Sequence, residues 1–492
     1  MRRTGSHGLL SADSFWYNPT IPDAPAAGVQ PRRPQRMQTA SENAMAHIVN
    51  PQKEYRLLQQ RLDRNVSGAP DSPAFMKILE MLFTPEEANI MRRLPSKPTR
   101  MDILAQKLGM PENELADKLT EMARRGLVFD FERKGRRYCS QVPVVIGFFE
   151  FTYMRTREDL PMTELSRLFT EYMEREDKFA RAVFKGETQM GRSLVREEAL
   201  PEDDHTEILD YERASRIIKD AGTVGVSLCA CRHKKSHLGE ACDAPMEVCM
   251  TLGKSAAIMA KHGLTRLIAP DEAMKVLDQC KAANLAQTGD NVKRKLTYIC
   301  NCCGCCCGMM QAIRMFDIRN AIVTSNWVMQ VDEEKCRACG KCVKVCPARA
   351  IDLAAPKSRI ALPPGADSEP SNGEEAGKSA RKACVDETLC LGCGVCYSSC
   401  KFGAISMRSR PQRVHTPETL FDQMISMAIE RGKLSNLLFD EPEKLSHRAL
   451  GRIVSVVEKS PPFKAAMAVK PLKSAFMNAL VSGAKKATGD LF

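Results

Sequence analysis

The chain has no apolar run of the roughly 18 residues that a bilayer-spanning helix requires. Its longest candidate, VPVVIGFFEF at 142–151, is about half that length and ends next to charge. A secretory signal is missing too: Arg2 and Arg3 are followed by TGSHGLLSADSFWYNP, which contains neither a signal h-region nor the hydrophobic stretch of a twin-arginine signal. There is no nucleotide fingerprint, flavin site or catalytic triad. Charge of one sign does not dominate either, because 72 basic and 60 acidic residues leave +12 over 492 residues, too spread out to mark nucleic-acid binding. These absences predict a soluble, cytoplasmic chain that works beside a catalytic partner rather than as a complete enzyme.

Cysteine is what the sequence has in excess, 21 in all. In a large chain without a secretory signal, such a count points to metal binding rather than to disulfides. Eight of the cysteines lie in a stretch that occurs twice. VDEEKCRACGKCVKVCPARAIDL at 331–353 returns as VDETLCLGCGVCYSSCKFGAISM at 385–407, at a constant offset of 54. Each copy spaces three cysteines three apart and places a fourth four residues on: Cys336, Cys339, Cys342 and Cys346, then Cys390, Cys393, Cys396 and Cys400. Three thiolates on a tight turn can face three corners of a cubane, with the fourth on the helix that follows. Gly340, Gly392 and Gly394 suit a turn that needs positive φ close to an inorganic core.

This spacing resembles that of bacterial two-cluster ferredoxins, in which the fourth cysteine of each run ligates the other cluster. The resemblance implies two 4Fe-4S clusters. Cys336, Cys339, Cys342 and Cys400 would hold the first, and Cys390, Cys393, Cys396 and Cys346 the second. Structural zinc is the alternative, but zinc motifs usually separate two Cys-x-x-Cys pairs by a longer loop. Lys401 stands where the first repeat has Pro347, and a cation there should favour the reduced form of its cluster.

A second block precedes the repeat. SLCACRHKKSHLGEACDAPMEVCMTLG at 227–253 supplies Cys229, Cys231, Cys242 and Cys249, and YICNCCGCCCGMM at 298–310 supplies Cys300, Cys302, Cys303, Cys305, Cys306 and Cys307. Thiolates packed this densely repel one another unless a cation neutralises them, so one or two further iron-sulfur clusters are expected on a subset of these ten. Neighbours such as Cys302 and Cys303 point in different directions, so the six are not expected on one metal. Either each group has its own cubane, or a site forms across the two. A zinc site using His233 or His237 and a redox-active dithiol are the alternatives. The run Arg232, His233, Lys234, Lys235 reads most simply as a solvated basic loop, and otherwise as a stabiliser of a reduced cluster or an anionic ligand. Cys139, Cys280 and Cys384 are isolated and read as ordinary thiols. Residues 227–353 together resemble iron-sulfur electron-transfer proteins and subunits of anaerobic and facultative bacteria. The pattern departs from that of heterodisulfide-reductase subunits, whose Cys-Cys-Gly lies well before a distant Cys-x-x-Cys.

The remaining sequence predicts an α+β, multidomain chain. Residues 1–50 form a disordered extension rich in Pro, Ala, Ser and Arg. Residues 51–145 form the next domain, in which helices from 74, with Thr84 as an N-cap before Pro85, lead to two strands turning near Gly135. Over 75–142 this order resembles a winged helix, which implies a third helix with Leu115, Leu119 and Met122 buried. Glu112, Glu114 and Asp117 on that helix argue against DNA and for protein docking, whereas Arg133, Lys134, Arg136 and Arg137 on the wing are basic. A mostly helical connector at 146–226, a Cys-rich domain at 227–325 and a two-cluster ferredoxin domain at 326–410 with an inserted surface loop at 356–383 follow. A helical, basic tail over 411–492 ends the chain, its first helix started by Thr416, Pro417 and Glu418 and presenting Leu420, Met424 and Met427. That tail suits an anionic membrane surface or an acidic partner. The function expected is electron transfer to or from a partner redox protein or oxidoreductase subunit, with a redox-responsive transcription regulator as the alternative.

Overall fold

A computed structural model describes residues 51–200, 210–354, 381–441 and 443–468, with residues 475, 476 and 479. The expected extension at 1–50, most of the expected loop at 356–383 and the last part of the basic tail, most of 469–492, lie outside the described residues.

The first part is built from helices whose ends the sequence marks. Helix α1 (Pro51–Asp63) precedes α2 (Pro73–Leu82), where the Ser72 hydroxyl accepts from the Ala74 and Phe75 amides, and α3 (Pro85–Arg93), which starts in a capping box between Thr84 and Glu87. Strand β1 (Thr99–Arg100), α4 (Met101–Leu108) and α5 (Glu112–Arg124) lead to the hairpin of β2 (Val128–Arg133) and β3 (Arg136–Gln141), in a sheet of order β1-β3-β2. Leu115, Leu119 and Met122 of α5 are fully buried. Helices α6 (Phe149–Tyr153) and α7 (Met162–Thr170) extend the same apolar core, which continues to Ala230, Met259 and Leu264 of the Cys-rich segment.

After α8 (Asp177–Val183) the chain enters a six-stranded antiparallel sheet that brings the upstream cysteines together. Its elements are β4 (Gly191–Ser193), α9 (Ala214–Ala221), β5 (Val224–Leu228), α10 (Ala230–Ser236), β6 (Glu247–Leu252), α11 (Gly253–Lys261), β7 (Arg266–Ile268), α12 (Pro270–Ala282), β8 (Ala286–Asp290) and β9 (Tyr298–Cys302). The order across the sheet is β4-β8-β9-β6-β5-β7. Strands β6 and β9 pair with Met250 opposite Ile299, which sets Cys249 beside Cys300. The two-residue period of a strand keeps Cys302 on the face of Cys300. Helix α13 (Gly308–Phe316) then leaves the last of the clustered cysteines, Cys307, as its N-cap residue.

The double repeat forms β10 (Trp327–Val331), α14 (Lys341–Val345), β11 (Ile351–Ala354), β12 (Lys382–Val385), α15 (Val395–Ser399) and β13 (Ile405–Ser409). The C-terminal part contributes α16 (Leu420–Arg431), α17 (Leu434–Leu438), α18 (Leu445–Lys459) and α19 (Pro461–Ala468). Two readings of this part change. Helix α16 starts three residues later than expected, because Thr419, not Thr416, closes a capping box with Asp422. Its buried face includes Gln423, Ile425, Met427 and Ala428, while Met424 is 41% exposed. Gln423 holds this helix to the body by donating to the Gln189 and Met190 carbonyls at 3.0 and 2.9 Å. Among the described residues no helix is long and apolar enough to cross a membrane.

Candidate metal centres

The pairing of the repeat explains where its sulfurs go. Strands β10 and β13 set Val331 opposite Ile405, and β11 and β12 set Ile351 opposite Val385. The repeat offset turns Val331 into Val385 and Ile351 into Ile405, so the two ladders exchange and the module has internal two-fold symmetry. Each triplet therefore meets the segment that follows the other. Cys336, Cys339, Cys342 and Cys400 line one small cavity. Cys346 lies instead close enough to Cys390, Cys393 and Cys396 for their charges to act on one another.

The backbone around both sites is shaped for sulfur. Gly340, Gly392 and Gly394 have φ of 71°, 66° and 77°. The Ala350 amide donates to Cys346 Sγ at 3.2 Å, and its equivalent, the Ala404 amide, donates to Cys400 Sγ at 3.4 Å. Such bonds tune an iron-sulfur centre's potential.

Their surroundings differ. At the first site Cys339 is exposed, Phe402 is 48% exposed, and the two charged residues lining the cavity are Arg337 and Lys341. At the second site Cys390, Cys393 and Cys396 are all buried. The buried Arg196 lies beside that site: its amide donates to the Cys393 carbonyl at 3.2 Å and its guanidinium to Ser398 Oγ at 2.5 Å. Arg410 Nη2 donates to the Cys390 carbonyl at 2.6 Å. Burial pushes the Cys393 thiol up to about 12 and the Cys342 thiol to about 11. Loading either site with metal therefore displaces protons.

The ten upstream cysteines separate into two neighbourhoods, each drawing on both parts of the block. In one, Cys242 meets Cys303 at 3.7 Å and Cys306 at 3.8 Å, and Cys305 meets Cys306 at 3.7 Å. All four sulfurs lie within 4.8 Å of one another. A hydrogen bond from the Cys306 thiol, with help from the Arg232 charge against burial, brings Cys303 down to about 4. The other neighbourhood is a row in which Cys302 and Cys307 are buried and Cys231, Cys249 and Cys300 half-buried. Cys249 and Cys300 are 4.0 Å apart, the Cys302 thiol bonds with Cys300 and Cys307, and Cys307 reaches Cys231. Hydrogen bonds from Cys300 and then Cys307 lower Cys302 to about 6. Cys229 stands next to this row, close to Cys231 and Cys249, with its thiol raised by burial.

The basic run is not a solvated loop. Arg232, His233, Lys234 and Lys235 all lie on α10 and are buried. Lys234 and Lys235 both pair with Glu174, and Lys235 also with Glu240 at 2.8 Å. Arg232 bonds to the Cys242 and Cys303 sulfurs and to the Pro245 and Asn301 carbonyls. His233 bonds through Nδ1 to the Tyr153 carbonyl at 2.8 Å and packs against His237, away from the sulfur quartet. Cys139 and Cys280 are buried in β3 and α12, and Cys384 sits in β12. Sequence reading missed Arg196, Arg314 and Arg410, because each meets its cysteine loop only through the fold.

The two halves of the cysteine system touch. A Cβ at Gly304, inside the quartet loop, would fall 2.8 Å from the Pro347 carbonyl, next to Cys346, and 2.8 Å from Arg314 Nη1. Cys302, Cys307, Ala348, Leu391 and Cys393 share one buried apolar cluster.

A search of curated proteins and a search of solved structures return no match to this chain. Residues 329–352 and 383–406 each match the family model of the 4Fe-4S binding domain, which indicates iron-sulfur cluster binding by these two segments.

Proposed function

We propose that this protein is an electron carrier, or the electron-transfer subunit of an oxidoreductase, that passes single electrons along a line of iron-sulfur centres to a partner. The observation that carries the reading is the symmetric pairing of the two repeats, which gathers two sets of four thiols from crossed segments. Cys336, Cys339, Cys342 and Cys400 hold one 4Fe-4S cluster, and Cys390, Cys393, Cys396 and Cys346 hold the other. A further cluster draws its ligands from the row of Cys231, Cys249, Cys300, Cys302 and Cys307. When bound, the clusters accept and release one electron each, while thiolates, N–H···S bonds and burial set their potentials. The protein works in the cytoplasm.

The exposed edge at Cys339 and Phe402 is the docking face for the partner. Arg337 and Lys341 make that face basic, which suits an acidic redox protein. We read residues 73–141 as a winged helix that docks protein rather than DNA. Glu112, Glu114 and Asp117 on α5 are exposed where a recognition helix would meet phosphate, and Arg137 on the hairpin is tied to Asp130 at 2.8 Å.

The test is anaerobic purification, iron and sulfide analysis and EPR-monitored redox titration of wild type, Cys400→Ser and Cys346→Ser. About eight irons with matching sulfide are expected from the paired repeats, and about twelve with the row of Cys231, Cys249, Cys300, Cys302 and Cys307 loaded. Cys400→Ser should alter the signal of the cluster held by Cys336 and spare the other, and Cys346→Ser the reverse. A protein without iron, or one whose clusters fail to cycle by one electron, refutes the carrier.

A further inference from the structure

The sulfurs of Cys242, Cys303, Cys305 and Cys306 are gathered more tightly than those of the ferredoxin-like sites. Among the described residues theirs is the one group of at least three potential ligands whose ligand atoms all fall within 4.8 Å of one another. That spacing carries chemical information. A metal-sulfur bond of about 2.3 Å in a regular tetrahedron puts sulfurs about 3.8 Å apart, the bond length multiplied by √(8/3). Three of the six separations, at 3.7, 3.7 and 3.8 Å, match that edge, and the other three fall within 4.8 Å. Thiolates on a cubane sit outside a core of four irons and four sulfides, and must stand further apart. The Cys336 set does so, surrounding a cavity instead of closing on one point.

The local chain supports a single-ion site. Cys303 and Cys306 form a Cys-x-x-Cys knuckle around a turn at 304–306, Cys305 adds a third sulfur from the same turn, and Cys242 closes the set from the loop before β6. Four thiolates around a divalent ion leave a net charge of −2. Two guanidinium groups stand beside them: Arg232, fully buried and bonded to Cys242 and Cys303, and Arg314, which donates to the Gly304 carbonyl within the knuckle.

From these distances and this charge balance we infer that Cys242, Cys303, Cys305 and Cys306 bind one thiophilic ion, zinc or iron, as a mononuclear tetrahedral tetrathiolate centre and not as an iron-sulfur cluster. The inference does not rest on the carrier function, since the site would exist whether or not the repeats pass electrons. Zinc would make it a structural clasp between the loop before β6 and the turn after β9. Iron would make it a further one-electron centre.

Full-length protein, purified anaerobically, tests this by counting zinc, iron and acid-labile sulfide per chain. The expected result is one zinc per chain, or one iron in excess of sulfide with a high-spin ferric EPR signal on oxidation. X-ray absorption at the zinc edge should then show sulfur alone at about 2.3 Å with no metal neighbour. Cys303→Ser should lose that one ion and keep the cluster signals of the repeats. Cys305→Ala, at an exposed position, provides the same reading if Cys303→Ser fails to fold. Wild type with neither zinc nor excess iron overturns the inference, as does a variant that loses about four irons together with four sulfides. Wild type that holds the single ion but shows neither cluster signal of the repeats would count against the carrier alone, and a Cys303→Ser variant that keeps the ion would overturn the inference.

Discussion

Ala338 and Gly392 occupy the same place in the two repeats, and both have a left-handed backbone, with φ of 50° and 66°. What differs is the space beside them. A methyl group at Gly392 would run into Ser325 Oγ and the Trp327 carbonyl. Gly392→Ala should therefore spoil the site of Cys390, Cys393 and Cys396, lowering iron and sulfide by about four each, the content of one cubane. Ala338→Gly should leave the metal content unchanged. Equal metal in Gly392→Ala and wild type would show that the loop can give way.

Arg337 and Lys341 are the two charged residues lining the cavity of Cys336, Cys339, Cys342 and Cys400. Their joint replacement by glutamate should slow electron transfer to an acidic acceptor at least about tenfold at low salt, with the gap closing as ionic strength rises. Stopped-flow rates over a salt series check this. A slowing that persists with a neutral mediator would place the effect on the cluster instead of on docking.

Arg61 and Asp440 join the first helix to the C-terminal part through a 2.5 Å ion pair, both side chains 4% exposed. Asp440 also accepts from the Ser96 amide. Asp440→Ala leaves a guanidinium buried without its counter-charge and should cost about 3–5 kcal/mol. A large fall in the anaerobic thermal midpoint is expected. Double replacement with Arg61→Leu should recover part of the loss, and a full loss in the double variant would argue against the pair as the cause.

Asp290, between the sheet and Thr297, is pushed up to about 6 by burial, against bonds from the Thr297 amide and hydroxyl. A carboxyl with a raised native pKa binds more protons folded than unfolded, so its contribution to stability falls as pH rises from about 4 to about 6 and stays low above that. The Asp290→Asn variant does not titrate there. Relative to wild type it should gain about 1.4 kcal/mol on going from pH 5 to pH 7.5. Parallel unfolding of the two proteins at both pH values measures it, and a pH-independent difference would mean that Asp290 keeps an ordinary pKa.

The double repeat was readable because its chemistry is local. Two residues between cysteines and glycines beside them define a loop whatever surrounds it, and the family match falls on the same stretch. Thr84, Gly135 and the buried stripe of α5 were legible for the same reason: caps, turns and the helical period are short-range. The six-stranded sheet was not. Its strands are short, and two of them read AQTGD and YICNC, which lack the apolar alternation that signals a strand. The basic run on α10 was misread because the acid that neutralises it, Glu174, comes from a distant segment. The partition of the upstream cysteines depends on the register of β6 with β9, which no spacing along the chain encodes.

The exposure of Cys339 has one more consequence, for survival in air. An edge exposed to solvent is also open to dioxygen, whereas Cys390, Cys393 and Cys396 sit behind protein. Two clusters that the repeated sequence makes alike would then decay in a fixed order, the outer one first, and a briefly oxidised sample would keep its inner cluster after losing its contact with the outside.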